Sequence, residues 1–312
     1  MMKTKLIVVA GPTASGKTGL GIEIAKAVGG EIISADSMQV YKDMSIATAA
    51  PTPEEKAQAP HHLVEFLERD KTFSVSDFCA LAENAVSDIT GRGKVPIIVG
   101  GTGLFIDSFV DNIKFVQADT DFELRERLMK KDTDELYDEL VSIDPKAAEK
   151  IHRNNKSRVA RALEIYYSSG KTKSSQDEES RLEETPYEIL YFVVGFKNRE
   201  ILYGRINRRV DIMLKNGLLE EAKSCLESVG KTSAQAIGHK ELKLYLDGAL
   251  SLEEAVENLK RETRRYAKRQ LTWFKKRENA VWLYADEEDI VSAAVNKSRR
   301  FLSNGEEKSK IE

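Results

Sequence analysis

Apolar positions in the first hundred residues come as short unbroken runs set between longer stretches of mixed character. Lys5 to Ala10, Glu31 to Ser34 and Val95 to Gly100 read as strands, with helices over Lys17 to Val28 and Val75 to Ile89. Runs that are apolar throughout belong to strands covered on both faces, and their alternation with helices implies βαβ units and a parallel sheet. After Asp111 the pattern changes. Asp121 to Ser169 holds charged, helix-like segments with Pro145 and no comparable strand, and a polar stretch follows from Ser168 to Thr185. Tyr187 to Gly195 (YEILYFVVG) is again a buried strand, so the sheet resumes after an interruption of roughly 65 to 75 residues. The expected organisation is an α/β core from residues 1–118 and 186–303, a helical insertion at 119–185, and a fraying polar tail at 304–312.

Two later segments are helical by spacing, Arg199 to Leu226 and Leu252 to Arg277. In the second, Leu259, Thr263, Ala267, Leu271 and Phe274 share one face. Ala280 to Tyr284 reads as a last strand. The formal net charge of -3 argues against a polyanionic partner until its distribution is considered. Lys260 to Arg277 carries nine Lys or Arg against one Glu, a local +8 that leaves -11 for the remainder. No apolar run approaches the roughly 20 residues a bilayer requires, and Met1-Met2-Lys3-Thr4 leads straight into a strand, so a cytoplasmic protein with no membrane association is expected. Cys79 and Cys225 are too few for a disulfide framework, and the four histidines have no ligand spacing that suggests zinc.

Gly11-Pro12-Thr13-Ala14-Ser15-Gly16-Lys17-Thr18 fits GxxxxGK[ST] directly after a strand and before a helix. Glycines let the backbone turn its N–H groups around phosphate oxygens. The helix N-terminus adds partial positive charge and Lys17 a full one, while Thr18 offers a hydroxyl to Mg²⁺. The predicted core is therefore a P-loop NTPase-like parallel sheet flanked by helices. The loop alone does not choose among ATP-binding kinases, ATPases, GTPases and transferases.

Ligands of open α/β sheets lie beyond the carboxyl ends of the strands. After the second predicted strand comes Asp36, which could ligate magnesium through water or accept a proton from a substrate, and Gln39, which could read a base edge. After the third comes Gly100-Gly101-Thr102-Gly103, where a Walker-type ATPase places an acid. There is none, which weakens a hydrolase reading, and Thr102 sits between glycines that would let a planar group approach.

These blocks together resemble the bacterial tRNA dimethylallyltransferases, also called tRNA isopentenyltransferases, nearly end to end. The resemblance runs through GPTASGKT (11–18), SADSMQVYKDMSIATA (34–49), PHHL (60–63), FSVSDF (73–78), GGTGLF (100–105), NKSRVARALE (155–164), QAIGHKE (235–241) and RRYAKRQLTWF (264–274). The family commonly has Tyr where Phe105 and His239 stand, and Gly, Asp, Gly and Lys where Asp43, Ser45, Ala47 and Ala50 stand.

The resemblance implies transfer of a dimethylallyl group from dimethylallyl pyrophosphate to N6 of adenosine 37 in the tRNA anticodon stem-loop, by a monomer using Mg²⁺. It assigns the diphosphate to Gly11, Thr13, Ala14, Ser15, Gly16, Lys17, Thr18 and Arg209, the last beside Arg205 and Arg208 on one helical segment. Asp36 and Thr102 become the catalytic pair, Asp36 as the base and Thr102 beside the adenine, with Mg²⁺ on Thr18 and reached by Asp36 through water. Ser37, Met38, Gln39, Arg125, Arg158, Arg161, Arg265, Lys268 and Arg269 become tRNA contacts. An adenine in a stacked loop must be extruded to react, and Tyr266, Trp273 and Phe274, interleaved with the basic residues, suit stacking. A small-molecule kinase, an adenylate isopentenyltransferase using AMP, and a noncatalytic RNA-binding protein are the alternatives. The first two have little need of a +8 helix, and the third leaves the P-loop unexplained.

Overall fold

A computed structural model describes residues 3–115, 122–180, 184–226, 230, 232–287 and 289–304. The expected tail lies outside them from residue 305 onward. The chain forms two compact units, Met1–Val110 with Pro186–Glu312, and Asp111–Thr185.

The first unit is built on six strands: β1 (Thr4–Ala10), β2 (Gly30–Ser34), β3 (His61–His62), β4 (Val95–Gly100), β5 (Tyr187–Gly195) and β6 (Val281–Tyr284). Their order is β3-β2-β4-β1-β5-β6 and every pairing is parallel. β1 is central: Ala10 lies opposite Gly100 on one side and Val193 on the other. Leu6 through Ala10 are wholly buried, as an unbroken apolar run requires. Successive side chains point to opposite faces. Leu6 and Val8 therefore join Phe78, Phe105 and Phe109 in one core, while Ile7 and Val9 meet Leu20, Ile24 and Ala294 in another.

The helices start and stop where side chains dictate. Lys17–Val28 ends at Gly29, whose φ of 64° suits glycine. Ser74 and Asp77 form a capping box that opens Val75–Gly91, and Ser251 with Glu254 opens the basic helix Leu252–Phe274. Three local expectations need correction. The pattern missed β3, because two residues are too few to show a period. The helix expected over Arg199 to Leu226 is two, Arg199–Lys215 and Leu218–Cys225, broken at Gly217 with φ of 97°. The basic helix stops at Phe274, short of Arg277.

The second unit is helical among its described residues: Phe122–Lys130, Thr133–Ile143, Pro145–Lys150, Lys156–Ser169 and Lys173–Glu179. Leu128, Leu136, Leu140, Val159 and Leu163 form its own core. No helix among the described residues is long and apolar enough to cross a membrane.

Candidate active site

β1 delivers the glycine-rich loop to the carboxyl edge of the sheet. Gly11 has no room for a side chain, since a Cβ would lie 2.8 Å from the Val194 carbonyl oxygen. Ala14 and Gly16 both adopt left-handed conformations, with φ of 61° and 93°, the kind of backbone that makes an anion-binding nest. The Ser15 hydroxyl is buried with no hydrogen-bond partner among the described residues, as suits a group kept for a ligand oxygen. Lys17 Nζ donates to the Pro12 carbonyl at 3.2 Å. Burial, with the nearby Arg209 guanidinium, pushes the Lys17 pKa down to about 8, partly offset by Asp36.

Lys17, Thr18, Thr13, Asp36 and Arg209 line one cleft. Asp36 stands at the end of β2, where its Oδ1 accepts the Met38 N–H at 2.9 Å and the Gln39 N–H at 3.4 Å. One oxygen thus fixes the turn, as a capping aspartate would, while the residue also faces the phosphate loop. Arg209 is held below its ordinary pKa by burial, with Asp36 opposing the shift. The same cleft is also lined by apolar side chains, those of Ala47, Ile206, Val210, Met213, Ile237 and Leu259. Among the described residues no group of three or more His, Cys, Asp or Glu could hold a metal. The hydroxyl of Thr18 and the carboxylate of Asp36 are nevertheless hard oxygen donors on the same cleft, the type a small divalent cation takes together with substrate phosphates and water.

A residue given no role by sequence reasoning ties this site together. Gln270, buried on the basic helix, accepts the Thr13 N–H at 2.9 Å and donates to the Gly101 carbonyl at 2.8 Å. It joins the phosphate loop to the turn after β4. The signal available was a polar residue on the apolar face of an amphipathic helix, one position before Leu271. Arg205 Nε donates to the Ala14 carbonyl at 2.9 Å, a second grip on the loop. Trp273 Nε1 donates to Asp107 at 2.6 Å and packs where a Gly103 side chain would be.

Thr102 is used structurally here: its hydroxyl accepts the Ser37 N–H at 3.1 Å and so fixes the loop that carries Asp36. Tyr266, beside Thr102 and Gln270, is held above the ordinary phenol pKa by burial and then by the charge of Asp36. Ser37, Met38 and Gln39 all line the cleft. The Gln39 carboxamide, however, is committed within the protein, accepting from Ser34 and donating to the Thr48 and Ala49 carbonyls.

Arg265, Lys268 and Arg269 are exposed on the basic helix. Arg265 pairs with Glu262 and Arg269 stacks near Tyr266. In the helical unit Arg158 is exposed. Arg125 and Arg161 both pair with the buried Glu164, at 3.6 and 2.7 Å, so part of their charge is neutralised internally. Phe105, at a position where the resemblance suggested a hydroxyl, is stacked on Phe78 in the core.

A family model described as IPP transferase matches residues 39–277, and one described as isopentenyl transferase matches residues 2–65. The chain belongs to the IPP transferase family. The tRNA dimethylallyltransferase of Acetivibrio thermocellus is 47% identical to this IPP transferase over 306 residues, 96% of this chain and 97% of that protein. The crystal structure of the tRNA isopentenylpyrophosphate transferase from Bacillus halodurans aligns with a TM-score of 0.71 at 42% identity, covering 99% of each chain. A eukaryotic dimethylallyltransferase captured acting on tRNA aligns with a TM-score of 0.82 at 32% identity, over 96% of this chain and 80% of that one.

Proposed function

We propose that this IPP transferase moves a dimethylallyl group from dimethylallyl pyrophosphate to N6 of adenosine 37, beside the tRNA anticodon, releasing pyrophosphate. The observation that carries the reading is one cleft with two kinds of lining: the phosphate-loop residues with Arg209 and Asp36, and a set of aliphatic side chains. A diphosphate head with a short hydrocarbon tail matches both.

The adenine amine is a weak nucleophile, because its lone pair is delocalised into the ring, so a base beside it assists attack. As the bond from N6 to the allylic carbon forms, the carbon–oxygen bond to diphosphate breaks and its electron pair stays on the departing oxygen. Asp36 takes the N6 proton. The loop amides, Ser15, Lys17, Thr18 and Arg209 meet the charge on the leaving group, where preorganised donors act most strongly. Magnesium held by Thr18, with Asp36 through water, would neutralise further charge on the diphosphate. Thr102 keeps the Asp36 loop in register, next to where the adenine would enter.

Arg265, Lys268 and Arg269 on the basic helix are the proposed backbone contacts, with Arg158, Arg125 and Arg161 serving the same purpose in the helical unit. The protein would work as a cytoplasmic monomer. The second reading, an AMP prenyltransferase, shares the phosphate chemistry but leaves the exposed basic helix without a role.

The test is incubation of the protein with labelled dimethylallyl pyrophosphate and either unmodified tRNA, AMP, or ATP plus small acceptors. Label should enter tRNA alone, and Asp36→Ala should lose about 10²- to 10⁴-fold in rate. Label in AMP would establish the second reading instead, and near wild-type turnover by Asp36→Ala would remove it as the base.

A further inference from the structure

One part of the cleft lining is a short strap, whose Ile46 and Ala47 pack only partly buried against the cluster of Val210, Leu218 and Leu259. After the Asp36 loop the chain makes a single helical turn, Ser45–Thr48, none of whose residues is fully buried. Ala47, Thr48 and Ala49 from this strap line the cleft. One turn of helix is unstable in isolation, so the strap must be held from outside. The helical part of the lining is different in kind: Ile206, Val210 and Leu259 are buried core residues of long helices.

Polar groups grip the strap at both ends. At its C-terminal end Gln39 Nε2 donates to the carbonyls of Thr48 and Ala49 at 3.3 and 3.0 Å. At its N-terminal end Glu221, from helix Leu218–Cys225, accepts the N–H of Ile46 at 2.8 Å and that of Ala47 at 2.9 Å. The same carboxylate accepts a third hydrogen bond, 2.8 Å from His239 Nε2. His239 is fully buried, and its other ring nitrogen has no partner among the described residues. The imidazole therefore serves as a donor aimed at Glu221. The approach is close: a Cβ on Gly238, whose φ is 116°, would lie 3.3 Å from Ala47 Cβ.

We propose that Glu221 and His239 form a buried latch that fixes the position of the strap in the cleft lining, so that the cleft admits a five-carbon prenyl tail and rejects longer ones. This rests on the proposed function. Both are positioning residues, since neither lines the cleft, and the groups assigned to the diphosphate and the amine lie on other segments. Loosening the latch should change how well the tail fits and leave the chemical step nearly intact.

The test uses full-length His239→Met and Glu221→Gln, with His239→Gln as the variant that keeps an N–H donor near the same place. Steady-state prenylation of unmodified tRNA is measured with dimethylallyl and with geranyl pyrophosphate, and hydrogen exchange of the peptide spanning 45–49 is followed without substrates. The first two variants should exchange faster there and raise KM for dimethylallyl pyrophosphate about tenfold. They should also shift the kcat/KM ratio toward the geranyl donor about tenfold, with kcat within about twofold. His239→Gln should return all three readouts toward wild type. Unchanged exchange at 45–49 would overturn the latch, and faster exchange with an unchanged donor ratio, or a loss confined to kcat, would overturn its role in chain length. A wild-type protein that turned over neither donor would overturn the functional reading and the chain-length claim with it, while the exchange data would still decide the latch.

Discussion

Replacing Gln270 with Leu removes the link between the phosphate loop and the turn after β4 while keeping the volume of the side chain roughly constant. Two backbone groups lose their partners, the Thr13 N–H and the Gly101 carbonyl. A buried polar group left unpaired costs about 1–3 kcal/mol. The Gly101 carbonyl should feel the upper part of that range and the partly accessible Thr13 amide the lower, about 2–4 kcal/mol together. At about 1.5–2 °C of Tm per kcal/mol for a chain of this length, the midpoint should fall by roughly 3–8 °C. The catalytic effect should be larger than the thermal one implies, because a loop displaced by about 1 Å can cost 10²-fold in rate. Calorimetry and single-turnover transfer to tRNA measure both. Gln270→Glu keeps an acceptor for Thr13 and sets a carboxylate against the Gly101 oxygen, so it should be no better than Leu. A Gln270→Leu protein with Tm within about 1 °C and turnover within about twofold of wild type would show that the loop does not depend on this clamp.

Lys17 binds diphosphate well only when protonated, so with its pKa near 8 instead of 10.5 donor affinity should decline as pH rises through about 8. Lys17→Arg should flatten that limb in a titration of KM against pH. Without ligand, the unfolded chain holds the Lys17 proton more tightly across the same window, so urea midpoints should rise with pH there. Glu31, held near a pKa of 2 chiefly by its hydrogen bond from Arg92, stabilises the fold above its ordinary 4.5 and loses that contribution as pH falls toward 2. Arg92→Met should remove this acid-side slope from denaturation curves. Replacing Arg265, Lys268 and Arg269 by Ala should weaken tRNA binding and reduce its dependence on log salt by about 2 to 3. An unchanged slope would mean these residues do not touch the phosphate backbone.

The fold was legible wherever apolar runs were long. β1, β4 and β5 stand out because strands buried on both faces are mostly apolar, and the glycine-rich loop because GxxxxGK[ST] has few other uses. The return of an apolar run at Tyr187 signalled that the sheet resumes after the helical unit, but not that β5 pairs with β1. What stayed hidden depended on partners distant in the chain. Gln270 gained its meaning from Thr13 and Gly101, and Glu221 from amides at 46 and 47. Gln39 looked free to read a base because sequence cannot show that the Ser34 hydroxyl and two backbone carbonyls already occupy its amide. Gly217 was visible as a glycine, but its positive φ was not.

Residues 11–18 are tied down by Arg205 and Gln270, groups 191 and 257 positions further along the chain than the loop residues they bond. A fragment that ends before Arg205 would carry the whole phosphate motif and lack both tethers. Such a fragment should bear the motif and still bind diphosphate poorly, because a phosphate loop without its distant tethers is not held in its binding shape.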